Sequence, residues 1–135
     1  MLRAYSTNIT ATANEPIVFN INKFNTDAYV SHASNSSNIN IERPGYYEVA
    51  FDLTATVPEE TADPVVVQLY ANGNKIPDAI LQSNFTNGSY NAVSFNTVIK
   101  ANPGMMGQNV TLTVIPSATL TISNTAIGID RINVI

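Results

Sequence analysis

The stretch from Asn40 to Val57, NIERPGYYEVAFDLTATV, constrains the fold of this chain more than any other. Pro44-Gly45 interrupts whatever precedes it. Beyond that break Tyr47, Val49, Phe51 and Leu53 alternate with Tyr46, Glu48, Ala50 and Asp52. A period of two with one apolar side is the pattern of a strand with one buried face, and aromatic and β-branched residues suit a pleated surface. The length of the run places it inside a sheet rather than at an edge.

The flanking segments read the same way. Leu2 to Ala13 is irregular and Thr-rich, part strand and part arm, so residues 1–15 are assigned to an N-terminal arm or first strand and 16–135 to the domain. Ile17, Phe19 and Ile21 alternate with Val18, Asn20 and Asn22 as a short strand, and a second is expected around Ala28–Val30, before a polar loop at 32–38. Pro58 to Pro64 is a loop and Val65 to Ala71 a strand. Asn72-Gly73, both tolerant of positive φ, is the strongest hairpin signal, with Lys75 to Leu81 as the return strand. Asn87-Gly88 marks another turn, before a long strand with Val93, Phe95, Thr97 and Ile99 on one face. After a loop at 101–107 come a strand to Ile115, a break at Pro116, a short strand at Leu120–Ser123 and a closing apolar segment. Ile127, Ile129, Ile132, Val134 and Ile135 are expected inside the sheet, because five such residues would be out of place on a frayed tail. With about eight to ten strands, no helical period and no repeat, the expected class is an all-β, antiparallel sandwich with Greek-key or jelly-roll connections.

Composition narrows the function. Charged residues are only 12 % of the chain, so neutral Asn, Thr and Ser must carry much of its solubility, as in many β-rich surface and virion proteins. Six Lys and Arg in a chain of net charge −4 cannot neutralise a run of phosphates, which argues against nucleic acid and against an anionic membrane surface. Without cysteine there is no disulfide or thiolate chemistry. No signal-peptide pattern and no membrane-length apolar run stand out, so synthesis in a cytoplasm is expected.

Catalytic signals are weak. His32 is the sole histidine, set in a Ser/Asn loop, and no nucleophile elbow accompanies it, so it reads as a solvated loop residue in a protein that is not an enzyme. Glu59, Glu60 and Asp63 lack the spacing of a calcium loop and read as a solubilising acidic loop; no metal and no cofactor are expected. Five Asn-x-Ser/Thr sequons, at Asn8, Asn35, Asn84, Asn87 and Asn109, are expected by chance in so Asn- and Thr-rich a sequence.

Pro44 to Phe51 is similar to the Gly-x-Tyr-x-(aromatic/apolar)-x-(apolar) strand of complement globular-head and tumour-necrosis-factor-like (TNF-like) jelly rolls. The PIVFNINKFN segment, the QLYANGNKIPDA hairpin and the late Ile127–Ile132 strand resemble a bacterial and phage branch of that superfamily, in which phage head-fibre or capsid-decoration proteins and spore-surface proteins carry the domain. The resemblance implies a ten-stranded jelly roll in a compact homotrimer. This chain has neither a Gly-x-y stalk nor a long N-terminal fibre, which favours a short cap or decoration protein of a phage virion.

Tyr46 with Ala50, and Tyr90 with Ala92, place aromatics beside small residues on outward faces, a composition suited to close packing against a second subunit. Arg131, a charge among closing isoleucines, either points to solvent or meets a carboxylate across the interface, with Glu48 and Asp52 as candidates. The expected trimer interface is therefore Tyr46, Ala50, Tyr90, Ala92 and Arg131. The expected capsid anchor is the arm, through Leu2, Arg3, Tyr5 and Ile9, reaching a major capsid protein or another virion protein by strand addition to an exposed sheet edge. Loops 31–38, 58–64 and 101–107 face outward, where host-surface glycan would make contact. The competing readings are a receptor- or glycan-binding trimeric head and a bacterial spore- or cell-surface protein.

Overall fold

The computed structural model describes residues 1–26, 28–61, 63–102 and 110–134. Within them are ten strands: β1 (Leu2–Ala11), β2 (Ile21–Asn25), β3 (Val30–Ser31), β4 (Ile39–Ile41), β5 (Gly45–Thr56), β6 (Val65–Ala71), β7 (Asn74–Ser83), β8 (Asn91–Ala101), β9 (Val110–Pro116) and β10 (Leu120–Asn133). They form two five-stranded antiparallel sheets, ordered β2-β1-β10-β5-β8 and β3-β4-β9-β6-β7, and no helix occurs among the described residues. The expected all-β sandwich is the observed one.

β5 is interior, held by β10 on one side and β8 on the other. Tyr47, Val49, Phe51 and Leu53 are all buried, as their alternation requires. They meet Val67 and Leu69 of β6 and Leu112 and Val114 of β9 in the single core between the sheets. Phe51 is the centre of an aromatic group, stacked on Phe95 at 5.1 Å and edge-on to Phe19 at 6.5 Å. The Tyr47 hydroxyl donates to the Arg43 carbonyl at 2.7 Å, so the buried ring keeps its polar end satisfied.

Two strands that look irregular in sequence are regular in space. On β1 the buried residues are Leu2, Ala4 and Ser6, then Ala11, with Ile9 packed against the core, so the inward parity changes at Asn8. Asn8 has φ of 51°, a left-handed conformation that Asn tolerates better than most residues. Its neighbour β10 changes parity at the same level: Leu120 and Ile122 are buried, then Thr125, Ile127 and Ile129. Against β5 the register shifts between Ile122 and Asn124, and the Ser123 hydroxyl donates to the Thr54 carbonyl at 3.2 Å. The two irregularities face each other, so both strands keep their apolar sides on the core. The short strand and closing segment expected separately are thus one 14-residue strand.

Other expectations change. Of the arm and the first strand expected for residues 1–15, the first strand is present: Leu2–Ala11 form β1 between β2 and β10, with Leu2 fully buried, and are not a free arm. The 17–22 segment is not one strand. Ile17 and Phe19 are buried, but Ser6 holds this segment through its side chain, donating to the Val18 carbonyl at 2.7 Å and accepting from the Asn20 amide at 2.8 Å. β2 starts only at Ile21, which is exposed. Ile132 and Val134 are exposed too, since the register shifts between Arg131 and Asn133 as β10 leaves the sandwich. Ile135 and most of loop 101–107 lie outside the described residues.

Because Phe51 joins both its own sheet and the Phe19 segment, Phe51→Ala should cost about 3–5 kcal/mol. Urea denaturation, with unchanged slope and a lowered midpoint, is the measurement.

Candidate functional site

The outer face of the β2-β1-β10-β5-β8 sheet carries Arg3, Tyr5, Tyr46, Ala50 and Ala92 of the residues singled out in the sequence. The register fixes where each one lies. Tyr46 sits opposite Lys100 and Asn133, while Ala92 sits opposite Thr54 at the other end of the β5–β8 pair. Tyr90 precedes β8 at that same far end. Some nine residues of β5 separate the level of Tyr46 from that of Asn91, which is roughly 30 Å at about 3.4 Å per residue. Tyr46 and Tyr90 therefore do not form one aromatic patch, and Ala50 lies between them, half-buried.

Tyr46 has different company. Tyr46, Val98, Ile132 and Val134 are 36 %, 49 %, 52 % and 62 % exposed, and all belong to the end of the sheet where β5 begins and β8 and β10 finish. Val98 lies opposite Glu48, one outward position from Tyr46 on the neighbouring strand, within diagonal reach for an aromatic ring. This apolar rim was only partly legible: alternation exposes Tyr46 and Val98, but it gave no sign that β10 would turn Ile132 and Val134 outward.

Arg131 is engaged within its own chain. It lies opposite Tyr47, on the core-facing side, and closes over the end of the sandwich. Its guanidinium donates to the Pro44 carbonyl at 2.6 Å and lies 4.5 Å from the centre of the Tyr29 ring. Within the chain, Asp52 pairs with Arg3 at 3.6 Å. Gly45 makes room for this arrangement, since a Cβ there would stand 2.7 Å from Arg131 Nε and 2.8 Å from the Asn133 carbonyl oxygen. Gly45 is required by close approach rather than by an unusual φ.

His32 is not a solvated loop residue. It is 8 % exposed and its two ring nitrogens contact Asn22 Oδ1 at 2.6 Å and the Ser36 carbonyl at 2.7 Å. Asn22 in turn donates to the His32 carbonyl at 2.7 Å. The side chain therefore pins the 32–38 loop to β2, a structural task. The acidic loop is also structural. Glu60 accepts from the Asn87 amide at 3.0 Å, and the Asn87 side chain donates to the Val57 and Pro58 carbonyls. Among the described residues no three His, Cys, Asp or Glu side chains gather to hold a metal ion.

Of the four anchor candidates, Leu2 is in the core and Ile9 packs against it. Arg3 and Tyr5 point outward instead, and with Lys23, Asp52, Asn124, Thr125 and Ala126 they line an open trough of about 330 Å³. Its form follows from residue size. Ala126 lies between Tyr5 on β1 and Asp52 on β5, and Gly128 between Arg3 and Ala50, so small residues of β10 make a floor between taller walls.

Comparison of the whole chain gives consistent matches. The globular domain of zebrafish complement 1qA protein superposes with a TM-score of 0.68 at 12 % identity, covering 97 % of this chain and 95 % of that one. The fold is the TNF-like jelly roll. Eiger TNF from S. frugiperda matches with a TM-score of 0.68 at 10 % identity, over 99 % of this chain and 94 % of that one. The PRD1 vertex protein matches with a TM-score of 0.61 at 10 % identity, over 98 % and 96 %. No protein-family model and no curated protein matches the sequence. Such identities carry the jelly-roll architecture and nothing finer.

In this jelly roll, Gly45→Ala should destabilise by about 1–3 kcal/mol through overpacking against Arg131 and Asn133. Adding Arg131→Ala should restore only part of that loss, because the Asn133 carbonyl remains. Denaturation of the two single variants and the double variant measures the coupling.

Proposed function

We propose that this protein is a structural component of a phage virion, a homotrimeric jelly-roll head that decorates or caps the capsid. The observation that carries the reading is the set of exposed apolar residues Tyr46, Val98, Ile132 and Val134 at one end of the β2-β1-β10-β5-β8 sheet. Exposed apolar residues gathered at one place favour burial against a partner, and a second copy of the same chain supplies the same apolar chemistry. A vertex protein carries the same fold over nearly the full chain, so the architecture is compatible with a virion setting.

The mechanism is surface burial without chemistry. Apolar area removed from water contributes about 25 cal/mol per Å², so a rim of four large side chains repeated in three copies supports association. Tyr46 and Ala50 belong to this contact; Tyr90 and Ala92, at the far end of the β5–β8 pair, extend it along the strands if the copies pack lengthwise. Arg131 contributes indirectly, by holding Gly45 and Tyr29 at the base of the rim. With β1 built into the sheet, attachment to a major capsid protein falls to folded surfaces rather than to an extended arm.

Light scattering after size exclusion should give three times the 14.5 kDa monomer, about 43.5 kDa. Val98→Lys, at an exposed position, should move the mass toward 14.5 kDa with an unchanged circular dichroism spectrum. A wild-type monomer, or a trimer indifferent to Val98→Lys, would remove the rim from the interface.

A further inference from the structure

We propose that the trough on the β1–β2 side of the outer sheet face is a binding site for a carboxylated sugar. The chain has six Lys and Arg against ten Asp and Glu, yet two of the six, Arg3 and Lys23, line this one cleft with a single carboxylate, Asp52. Two cations in one cleft repel each other unless an anion lies between them. Asp52 answers only part of that demand. Its contact with Arg3 is 3.6 Å, longer than the roughly 2.7–2.9 Å of a charge-assisted hydrogen bond, and both side chains are well exposed, at 39 % and 49 %. Arg3 thus keeps donors free for a planar carboxylate, which guanidinium binds in a two-point fashion.

The remaining lining narrows the ligand. Asp52 on the opposite wall accepts hydrogen bonds and repels a second anionic group, so a ligand with one carboxylate and several hydroxyls fits better than a phosphate or a polyanion. Asn124 adds an amide that donates and accepts, and Tyr5 adds an aromatic surface and a hydroxyl. Thr125 is buried and donates to the Asp52 backbone carbonyl at 2.8 Å, which fixes that part of β5 beside the floor. The volume of about 330 Å³ falls at the lower end of the range of small-molecule sites, about 300–1,000 Å³. The site is built on three adjacent strands with β2 at its edge, so its walls are set before a ligand arrives. It shares no lining residue with the rim of Tyr46, Val98, Ile132 and Val134.

The test is amide chemical-shift titration of the labelled full chain with N-acetylneuraminic acid and with glucuronic acid. N-acetylglucosamine and inorganic phosphate serve as comparison probes. Saturable shifts at Arg3, Tyr5, Lys23, Asn124 and Ala126 with an acidic sugar, and none with the neutral sugar, are expected. Lys23→Ala, on an exposed edge strand, should weaken that binding about tenfold, in keeping with the loss of one charge-assisted contact. Lys100→Ala, a cation elsewhere on the face, should leave it unchanged. Ala126→Leu should abolish it by filling the floor without altering charge. Shifts spread over the surface, equal response to phosphate or to the neutral sugar, equal weakening by Lys100→Ala, or unaltered binding in Ala126→Leu would each overturn the proposal.

Discussion

The pairing of β5 with β10 is the constraint on which the rest of the sandwich depends. It joins a strand that declares its buried face in every second residue to one that changes face halfway along. Because a slip of one residue would turn a whole set of apolar side chains to solvent, the register must absorb the change. It does so at Ser123, with Asn8 making the matching adjustment on β1. Val49, Phe51 and Leu53 then face the same core as Ile127 and Ile129, and also as Ile122 beyond the irregularity.

The same arrangement shapes the outer face. When β10 turns Ile127 and Ile129 inward, it turns Ala126 and Gly128 outward, and these small residues leave a floor between Arg3 and Tyr5 on one side and Asp52 on the other. When the register shifts again near Arg131, the core side of β10 ends and Ile132 reaches solvent. The trough and the apolar rim are thus consequences of the two irregularities in one strand. Both are built from strand residues, Val134 excepted.

A jelly roll of this kind is shared by complement, TNF and vertex proteins, and architecture alone does not choose among their uses. The choice rests on surface chemistry particular to this chain. His32 and the acidic loop, which drew attention as chemical candidates, are both absorbed by internal hydrogen bonding that fastens loops to the sandwich. Arg131 is likewise absorbed, closing one end of the core over Gly45.

By itself the sequence determined the class and the central strand. Period-two alternation from Tyr46 to Leu53, the Asn72-Gly73 and Asn87-Gly88 turns and the absence of helical spacing are local signals, and local backbone geometry answers to them directly. The tertiary structure alone decided what happens where the alternation breaks. Asn8 and Ser123 look like interruptions until the two strands are placed side by side, because a bulge is compensated by a neighbour more than a hundred residues away. The same long-range pairing decided that Leu2–Ala11 enter the sheet, that Arg131 reaches the Pro44 carbonyl, and that Arg3, Lys23 and Asp52 share a trough. Which charges meet depends on strand order, and strand order in a jelly roll is set by non-local contacts that no stretch of sequence contains.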